Sequence, residues 1–469
     1  MNTFAAAIVD SLTLTTTENG AVTNSTSLDP VVDMFFAIGA KRGASYEEIC
    51  SVVIPAFEAD EELAMRVALW ARDIRQGAGE RRTYRHILRF LAERGSYSLV
   101  ERMIEATFDL GRADDVLHLL YVDQCKPAVS RALHKQLLNG NSLVAKWLPR
   151  KGIYAKILRE MWGMTARQYR KNLVHLTNVV ETQMCERKWD EINYSHVPSV
   201  AMSKYSKAFS RRDGERFEQF LNNVKEGKAD PETGKVAKIN TGAVYPYDIT
   251  RMEDEETANI MWQKLPDFVP EGLSFLPIID TSSSMNTRTS DNLSCMDVSV
   301  SLGIYLAERN KGAFKDLWIN FSTAPNFNKL KGETISEKIS NLDYSNWQGS
   351  TNLEAAMKLI LNTAVNNNVR SEDMPNFLLV LSDMEFNEWG NDAPGKNIKL
   401  MFEDAGYKMP NIVWWNIQSR NGVVPVRANE DGMALVSGFS PTIVSNLLSG
   451  EVTPVKIMMN TIMKDRYNY

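Results

Sequence analysis

Three short stretches carry oxygen-bearing side chains at spacings that suit a hard metal ion. They are Asp280-Thr281-Ser282-Ser283-Ser284-Met285, Gly349-Ser350-Thr351-Asn352 and Ser382-Asp383-Met384-Glu385. In order they read DxSxS, then T, then D. A hard divalent cation takes about six oxygen ligands near 2.1 Å. Two hydroxyls spaced i, i+2 in a tight loop can turn toward one point, and a threonine from a neighbouring loop adds a third oxygen. Carboxylates supply charge, directly or through water. Each stretch alone has a plainer reading. Serine-rich loops follow many strands, Thr351 with Glu354 spells a capping box, and Asp383 could cap a strand end. Their joint occurrence favours a metal site made of Asp280, Ser282, Ser284, Thr351 and Asp383, with room for an outside carboxylate.

The second constellation is basic. Segment 146–171 (KWLPRKGIYAKILREMWGMTARQYRK) holds eight basic residues against the single acid Glu160, with Trp147, Tyr154, Trp162 and Tyr169 interleaved. Cations neutralise phosphates and aromatic faces can stack bases, although core packing is the better account of the aromatics. The candidate RNA contacts are Lys146, Arg150, Lys151, Arg167, Arg170 and Lys171. Arg81 and Arg82 join them, because Gly77-Ala78-Gly79 ahead of an arginine pair could present amides and guanidinium forks to a phosphate. An equal alternative there is a helix–helix turn whose arginines pair with Asp73 and Glu80. The net charge of −5 conceals a split: −7 over residues 1–125, +10 over 126–250 and −8 over 251–469. A basic middle between acidic flanks suits a polyanion surface.

These groups need elements to position them. LSFLPIID (273–280), DLWINFS (316–322), NFLLVLSD (376–383) and NIVWWNIQ (411–418) read as buried strands. Helix-like segments near 296–310, 333–341, 353–366 and 395–405 alternate with them. That order predicts a doubly wound, Rossmann-like α/β domain over 273–469, with its site beyond the carboxyl ends of the strands. Residues 30–221 show apolar spacings of three and four, broken at Gly43, Gly77–Gly79, Gly95, Gly111, Gly140 and Gly152. Stacked helical hairpins of the HEAT type fit this pattern, and an irregular helical bundle is the alternative. Residues 1–29 read as a flexible arm and 222–272 as a connector. The expected fold class is therefore α + α/β.

At 44% hydrophobic and 24% charged residues, the chain is neither disordered nor fibrous. Cys50, Cys125, Cys185 and Cys295 form no CxxC, which predicts neither a disulfide framework nor structural zinc and fits a reducing, cytoplasmic setting. No apolar run approaches the length of a membrane span, and the first residues lack a basic region before their apolar run. No membrane association and no secretory signal are expected.

The DTSSSM, GST and SDM pattern resembles the metal-ion-dependent adhesion site of von Willebrand factor type A domains, over roughly residues 270–450. The resemblance implies Mg²⁺ or Mn²⁺ held by Asp280, Ser282, Ser284, Thr351 and Asp383. One departure is Met384-Glu385 after Asp383, where adhesion receptors usually have a small residue. Glu385 then either enters the site or restrains a loop. Helical repeats followed by a type A domain, with segments such as ARDIRQGAGERR and KWLPRK, are similar to the TROVE (Ro autoantigen) proteins and their bacterial and phage relatives. That resemblance implies a ring of repeats binding small structured RNAs outside and single-stranded RNA ends in its hole. The first expectation is thus a non-enzymatic RNA-binding scaffold. The alternative is an adaptor of a MoxR-like AAA+ ATPase, its metal gripping a carboxylate on an acidic protein ligand. A hydrolase is disfavoured: none of the five histidines falls in 273–469, and GxSxG, Walker A and HExxH motifs are missing.

Overall fold

The computed structural model describes residues 3–230, 234–290, 292–448 and 451–469. It divides into two compact units: Met1–Ala71, Gln76–Thr83 and Asp267–Asn468 form the first, and Arg72–Arg75, Tyr84–Pro266 and Tyr469 the second. One is built on a mainly parallel sheet and the other is helical, so the class is α + α/β. No described helix is long and apolar enough to cross a membrane.

In the first unit, β1 (Leu14–Thr16) and β2 (Val22–Asn24) form an antiparallel hairpin. The central sheet contains β3 (Phe275–Asp280). It is followed in the chain by a small antiparallel pair, β4 (Arg288–Ser290) and β5 (Leu293–Ser294). The remaining sheet strands are β6 (Leu317–Phe321), β7 (Asn326–Lys329), β8 (Phe377–Ser382), β9 (Asn411–Asn416) and β10 (Met433–Ser437). Their order is β10-β9-β8-β3-β6-β7, with β7 alone antiparallel to its neighbour. Strands β3, β6, β8 and β9 fall inside the four apolar runs read from the sequence. Both edge strands escape that reading. β7 (NFNK) is polar and half-exposed, and β10 (MALVS) is a short buried run with no alternation. Trp414 and Trp415 are wholly buried, and Trp415 Nε1 donates to the Gly438 carbonyl at 2.8 Å.

From residue 3 onward the expected arm at 1–29 is instead built into this unit, residues 1–2 lying outside the described residues. Asn24 and Val424 exchange backbone hydrogen bonds of 3.1 and 2.8 Å. Arg427 donates to the Thr26 carbonyl at 2.6 Å and pairs with Asp10 at 3.0 Å. A Ser/Thr/Asn-rich segment can be ordered because its hydroxyls and amides bond to backbone groups. The boundary expected at residue 30 also moves. Helix Pro30–Ile38 buries Val31, Val32, Met34, Phe35, Phe36, Ala37 and Ile38. Being apolar nearly all round, it requires cover on several sides. Ser437 of β10 binds it, donating to the Phe35 carbonyl at 2.7 Å and accepting from the Gly39 N–H at 3.1 Å.

The second unit is a set of helices of unequal length, from 5 residues in Pro246–Thr250 to 14 in Ser199–Arg212. A buried ion network holds its start: Arg72 Nε meets Asp115 at 2.7 Å, and Arg85 bridges Asp115 and Asp114 at 3.0 and 2.8 Å. The expected connector is not a linker, since its residues up to Pro266 pack within this unit. Helix Gly214–Glu226 runs through the boundary set at 221, and helix Glu255–Gln263 buries Ile260, Met261 and Trp262. Within VYPYDI (244–249) the backbone is extended at Tyr245. Pro246 then opens the helix Pro246–Thr250, where its missing N–H costs nothing.

Helix Cys295–Arg309 lies hard against β3 through a glycine. A Cβ on Gly303 would stand 1.9 Å from Ile279 Cδ1. Gly303→Val should therefore lower unfolding stability by about 1–3 kcal/mol, measured by urea denaturation. Gly303→Ala should also lose stability, because the clash outweighs a helix-propensity gain of about 0.5–1 kcal/mol.

Candidate functional site

The three oxygen-bearing stretches meet at the carboxyl end of the sheet. Asp280 closes β3, and Asp383 follows β8, the strand beside it. Both carboxylates are buried, at 0% and 1% exposure. Ser282 Oγ lies 3.0 Å from Ser284 Oγ and 3.1 Å from Thr351 Oγ1. These contacts are hydrogen bonds, and they also match the separation of about 3.0 Å between adjacent ligands of an octahedral ion bound at 2.1 Å. Asp280 accepts from Ser382 Oγ at 2.6 Å and from the Ser282 N–H at 2.9 Å. Asp383 accepts from the Glu385 N–H at 3.3 Å and is hydrogen-bonded to Ser284. All five sequence-derived residues are thus brought together.

The plainer capping role of Thr351 is not realised. Helix Leu353–Asn366 is capped by Asn352, which accepts from the Ala355 N–H at 3.0 Å. That frees Thr351, whose own N–H is held by Asn387 Oδ1 at 3.1 Å. Gly349 makes the turn with φ +89°, and a Cβ there would meet Thr323 Oγ1 at 2.3 Å. Glu385 acts as the loop restraint of the two roles weighed for it. Its carboxylate accepts from the Glu18 N–H at 2.7 Å and from Asn421 at 3.2 Å.

Sequence reasoning missed Arg420, whose guanidinium donates to Asp383 Oδ2 at 2.5 Å. It lies four residues beyond the end of β9, at the same sheet edge, and that position is the one signal in the sequence that bears on it, too common among arginines to single it out. Burial pushes Asp280 up to about 7, and the charge of Asp383 adds to the rise. Burial also raises Asp383, against the pull of Arg420. Among the described residues no cluster of three or more His, Cys, Asp or Glu could hold a metal. A cation here would rely on hydroxyls with two carboxylates. This is an all-oxygen set suited to Mg²⁺ or Mn²⁺ and unsuited to soft metals.

The basic residues separate into two groups. Arg81 and Arg82 are exposed and belong to the first unit. The others belong to the second, and two of them are tied down. Arg150 spends its guanidinium on the carbonyls of Ala145, Lys146 and Leu148 and on Thr177, closing the C-terminal end of helix Ser142–Trp147. Lys146 pairs with Glu181 at 2.6 Å. Lys151, Arg167, Arg170 and Lys171 are exposed and make no ion pair among the described residues. The interleaved aromatics are packed. Tyr169 is buried and donates to the Pro149 carbonyl, Trp162 stacks on His134 and donates to Ser130, and Trp147 lies under Arg112. In the glycine turn and its flanks, Arg72 binds Asp115 and Glu80 binds Arg42.

Two family models match the chain, both described as domains of unknown function: DUF2828 over residues 17–101 and 125–267, and DUF7788 over 274–466. An uncharacterized protein of Acanthamoeba polyphaga mimivirus is 25% identical over 514 aligned positions, spanning 96% of this chain and 87% of the relative. Among solved structures, the Ro (RSR) protein of Deinococcus radiodurans aligns over 93% of this chain and 99% of its own, with 12% identity and a TM-score of 0.34.

An acid whose folded pKa is raised makes the folded state bind more protons, so its contribution to stability falls as pH rises through that value. In chelator-treated protein, the wild type should lose stability relative to Asp280→Asn between about pH 4 and 7. Thermal melts of the pair across this range check it, and parallel profiles would contradict the placement of Asp280.

Proposed function

We propose that this chain is a non-enzymatic RNA-binding scaffold of the cytoplasm, in which a basic helical unit contacts RNA and a type A-like domain carries a divalent cation. The observation that supports the RNA half most directly is the group of exposed cations Lys151, Arg167, Arg170 and Lys171, without acidic partners among the described residues. Cations already neutralised by protein carboxylates release few counterions from a polyanion, whereas unpaired ones release them fully. The resemblance of the chain's organisation to TROVE proteins supports RNA as the polyanion, with HEAT-like stacking of the helices as part of the same reading. Packing of the interleaved aromatics argues for contact through phosphates rather than through stacked bases.

For the cation, the support is the convergence of Asp280, Ser282, Ser284, Thr351 and Asp383. When bound, Mg²⁺ or Mn²⁺ would supply a Lewis-acidic position for an acidic protein ligand. The chain's own residues do the rest. Ser382 and the Ser282 N–H orient Asp280, and Arg420 holds Asp383 until a cation competes for it. Glu385, engaged by Glu18 and Asn421, keeps the loop after β8 in place. Adaptor work beside an AAA+ ATPase draws on this oxygen cluster alone and leaves the exposed cations without a role.

Replacing Lys151, Arg167, Arg170 and Lys171 together by Glu should weaken binding of single-stranded RNA and cut the slope of log K against log salt by about 3, at roughly 0.7 per lost phosphate contact. Arg150→Ala should cost stability instead, with the slope unchanged. Unaltered RNA affinity in the fourfold variant would remove the scaffold reading and favour the adaptor. Separately, Arg420→Gln should tighten Mn²⁺ binding roughly fivefold, as expected for release of an ion pair worth about 1 kcal/mol, read by titration calorimetry.

A further inference from the structure

A cleft of about 520 Å³ opens in the first unit, lined by Lys41, Arg42, Gly43, Arg288, Ser419 and Arg420 among others. Four of these six residues are cationic. Lys41 is only 6% exposed, and its ammonium donates to the Ser419 carbonyl at 3.2 Å. That acceptor is neutral, and no ion pair of Lys41 is found among the described residues. An ammonium has three donors, and a buried one without a counter-charge is costly. Burial accordingly pushes Lys41 below the ordinary lysine range, against the pull of Glu48. On the other wall, Arg420 Nε is buried with no hydrogen-bond partner among the described residues, although its terminal nitrogen binds Asp383. Arg288 is exposed and forms no ion pair among the described residues.

Acids near the cleft do not cancel this charge. Glu48, which lines it, is turned to its own helix start, where it accepts from the Ser45 N–H at 2.7 Å. Glu80 answers Arg42 at 2.7 Å, and Asp383 and, at 3.6 Å, Glu18 answer the terminal nitrogen of Arg420. Lys41 and Arg288 are left uncompensated, and Arg420 has one donor to spare.

We propose that this cleft binds a phosphate group. Its donors without a carboxylate partner sit on three separate chain segments: the Lys41 ammonium, the buried Arg420 Nε and the Arg288 fork. A phosphate dianion offers oxygens on as many sides, whereas a carboxylate offers two in one plane. The volume exceeds what one inorganic phosphate fills, so the cleft also accommodates the organic part of a phosphate monoester, such as a nucleotide. The cleft needs no metal in the neighbouring oxygen cluster, with which it shares only Arg420.

The test is calorimetric titration of the full, chelator-treated chain with inorganic phosphate, adenosine monophosphate and adenosine. Phosphate and the monophosphate should bind one to one and adenosine should not. A tighter monophosphate assigns an ester, and equal affinities assign the free anion. Arg288→Gln, an exposed change that leaves the fold intact, and Lys41→Met should each weaken binding about tenfold or more. Phosphate should raise the melting temperature of the wild type more than that of either variant, a readout available even if Lys41→Met is itself less stable. Three results would each overturn the proposal: no saturable binding of phosphate or monophosphate below about 10 mM, adenosine binding as well as its monophosphate, or affinity unchanged by Arg288→Gln.

Discussion

Two carboxylates buried side by side at a sheet edge constrain the whole of the α/β unit. Asp280 and Asp383 lie at the ends of adjacent parallel strands, each within 1% of complete burial. Neither can be ionised there unless its charge is met, because removal from water penalises the charged form and each carboxylate penalises the other. The fold answers with directed donors: Ser382 and the Ser282 N–H on Asp280, Ser284 and the Glu385 N–H on Asp383, and the Arg420 guanidinium on the latter's second oxygen. One positive charge against two carboxylates leaves a deficit. It is met either by a proton, as the rise of Asp280 to about 7 expresses, or by a cation of higher charge. The hydroxyls of Ser282, Ser284 and Thr351 add nothing to a proton, whereas they would contribute to the shell of a hard divalent ion.

The same edge explains why the first residues of the chain belong with the last two hundred. Met384 sits at φ +65°, a left-handed conformation costing of order 1–3 kcal/mol for a non-glycine residue. That geometry turns Glu385 inward, where it meets the Glu18 N–H and Asn421. Thr17 donates to the Phe386 carbonyl at 2.6 Å and Asn19 to that of Glu385 at 2.6 Å. Strain after β8 is thus offset by hydrogen bonds to the segment between β1 and β2. The segment that looked too polar to fold contributes the partners of a buried glutamate, and a polar composition is what that task requires.

The legible parts of the sequence were those in which one physical requirement dominates. Four inner strands, buried on both faces, had to be continuous apolar runs, and the helices between them began and ended near their expected positions. Edge strands carry no such requirement: NFNK of β7 pairs through its backbone while its side chains stay half in water. The convergence of Asp280, Ser282, Ser284, Thr351 and Asp383 was legible because an all-oxygen cluster fixes residue type as well as place. Arg420 was not, because an arginine after a strand has many uses, and only the depth of Asp383 makes this one necessary. Division of the chain was the least legible feature. Helix Pro30–Ile38 has the same periodicity whether it packs on helices or on a sheet, and periodicity does not name the partner.

Arginine and lysine counts show the same limit from another side. Arg150 and Lys151 are neighbours in one basic segment, yet Arg150 is consumed by three carbonyls and a threonine while Lys151 is exposed to solvent. Charge summed along the chain cannot separate them, because a guanidinium closing a helix end and an ammonium in water contribute equally to the sum. Placement also separates two kinds of cation that do remain open to a ligand. Exposed ones such as Lys151 and Lys171 would act through counterion release, indifferent to the shape of a polyanion. Lys41 and the Nε of Arg420 are already out of water, so a ligand that reaches them meets donors desolvated in advance and loses less on binding. The first arrangement suits a long, variable polyanion and the second a single compact anion, and this chain has both.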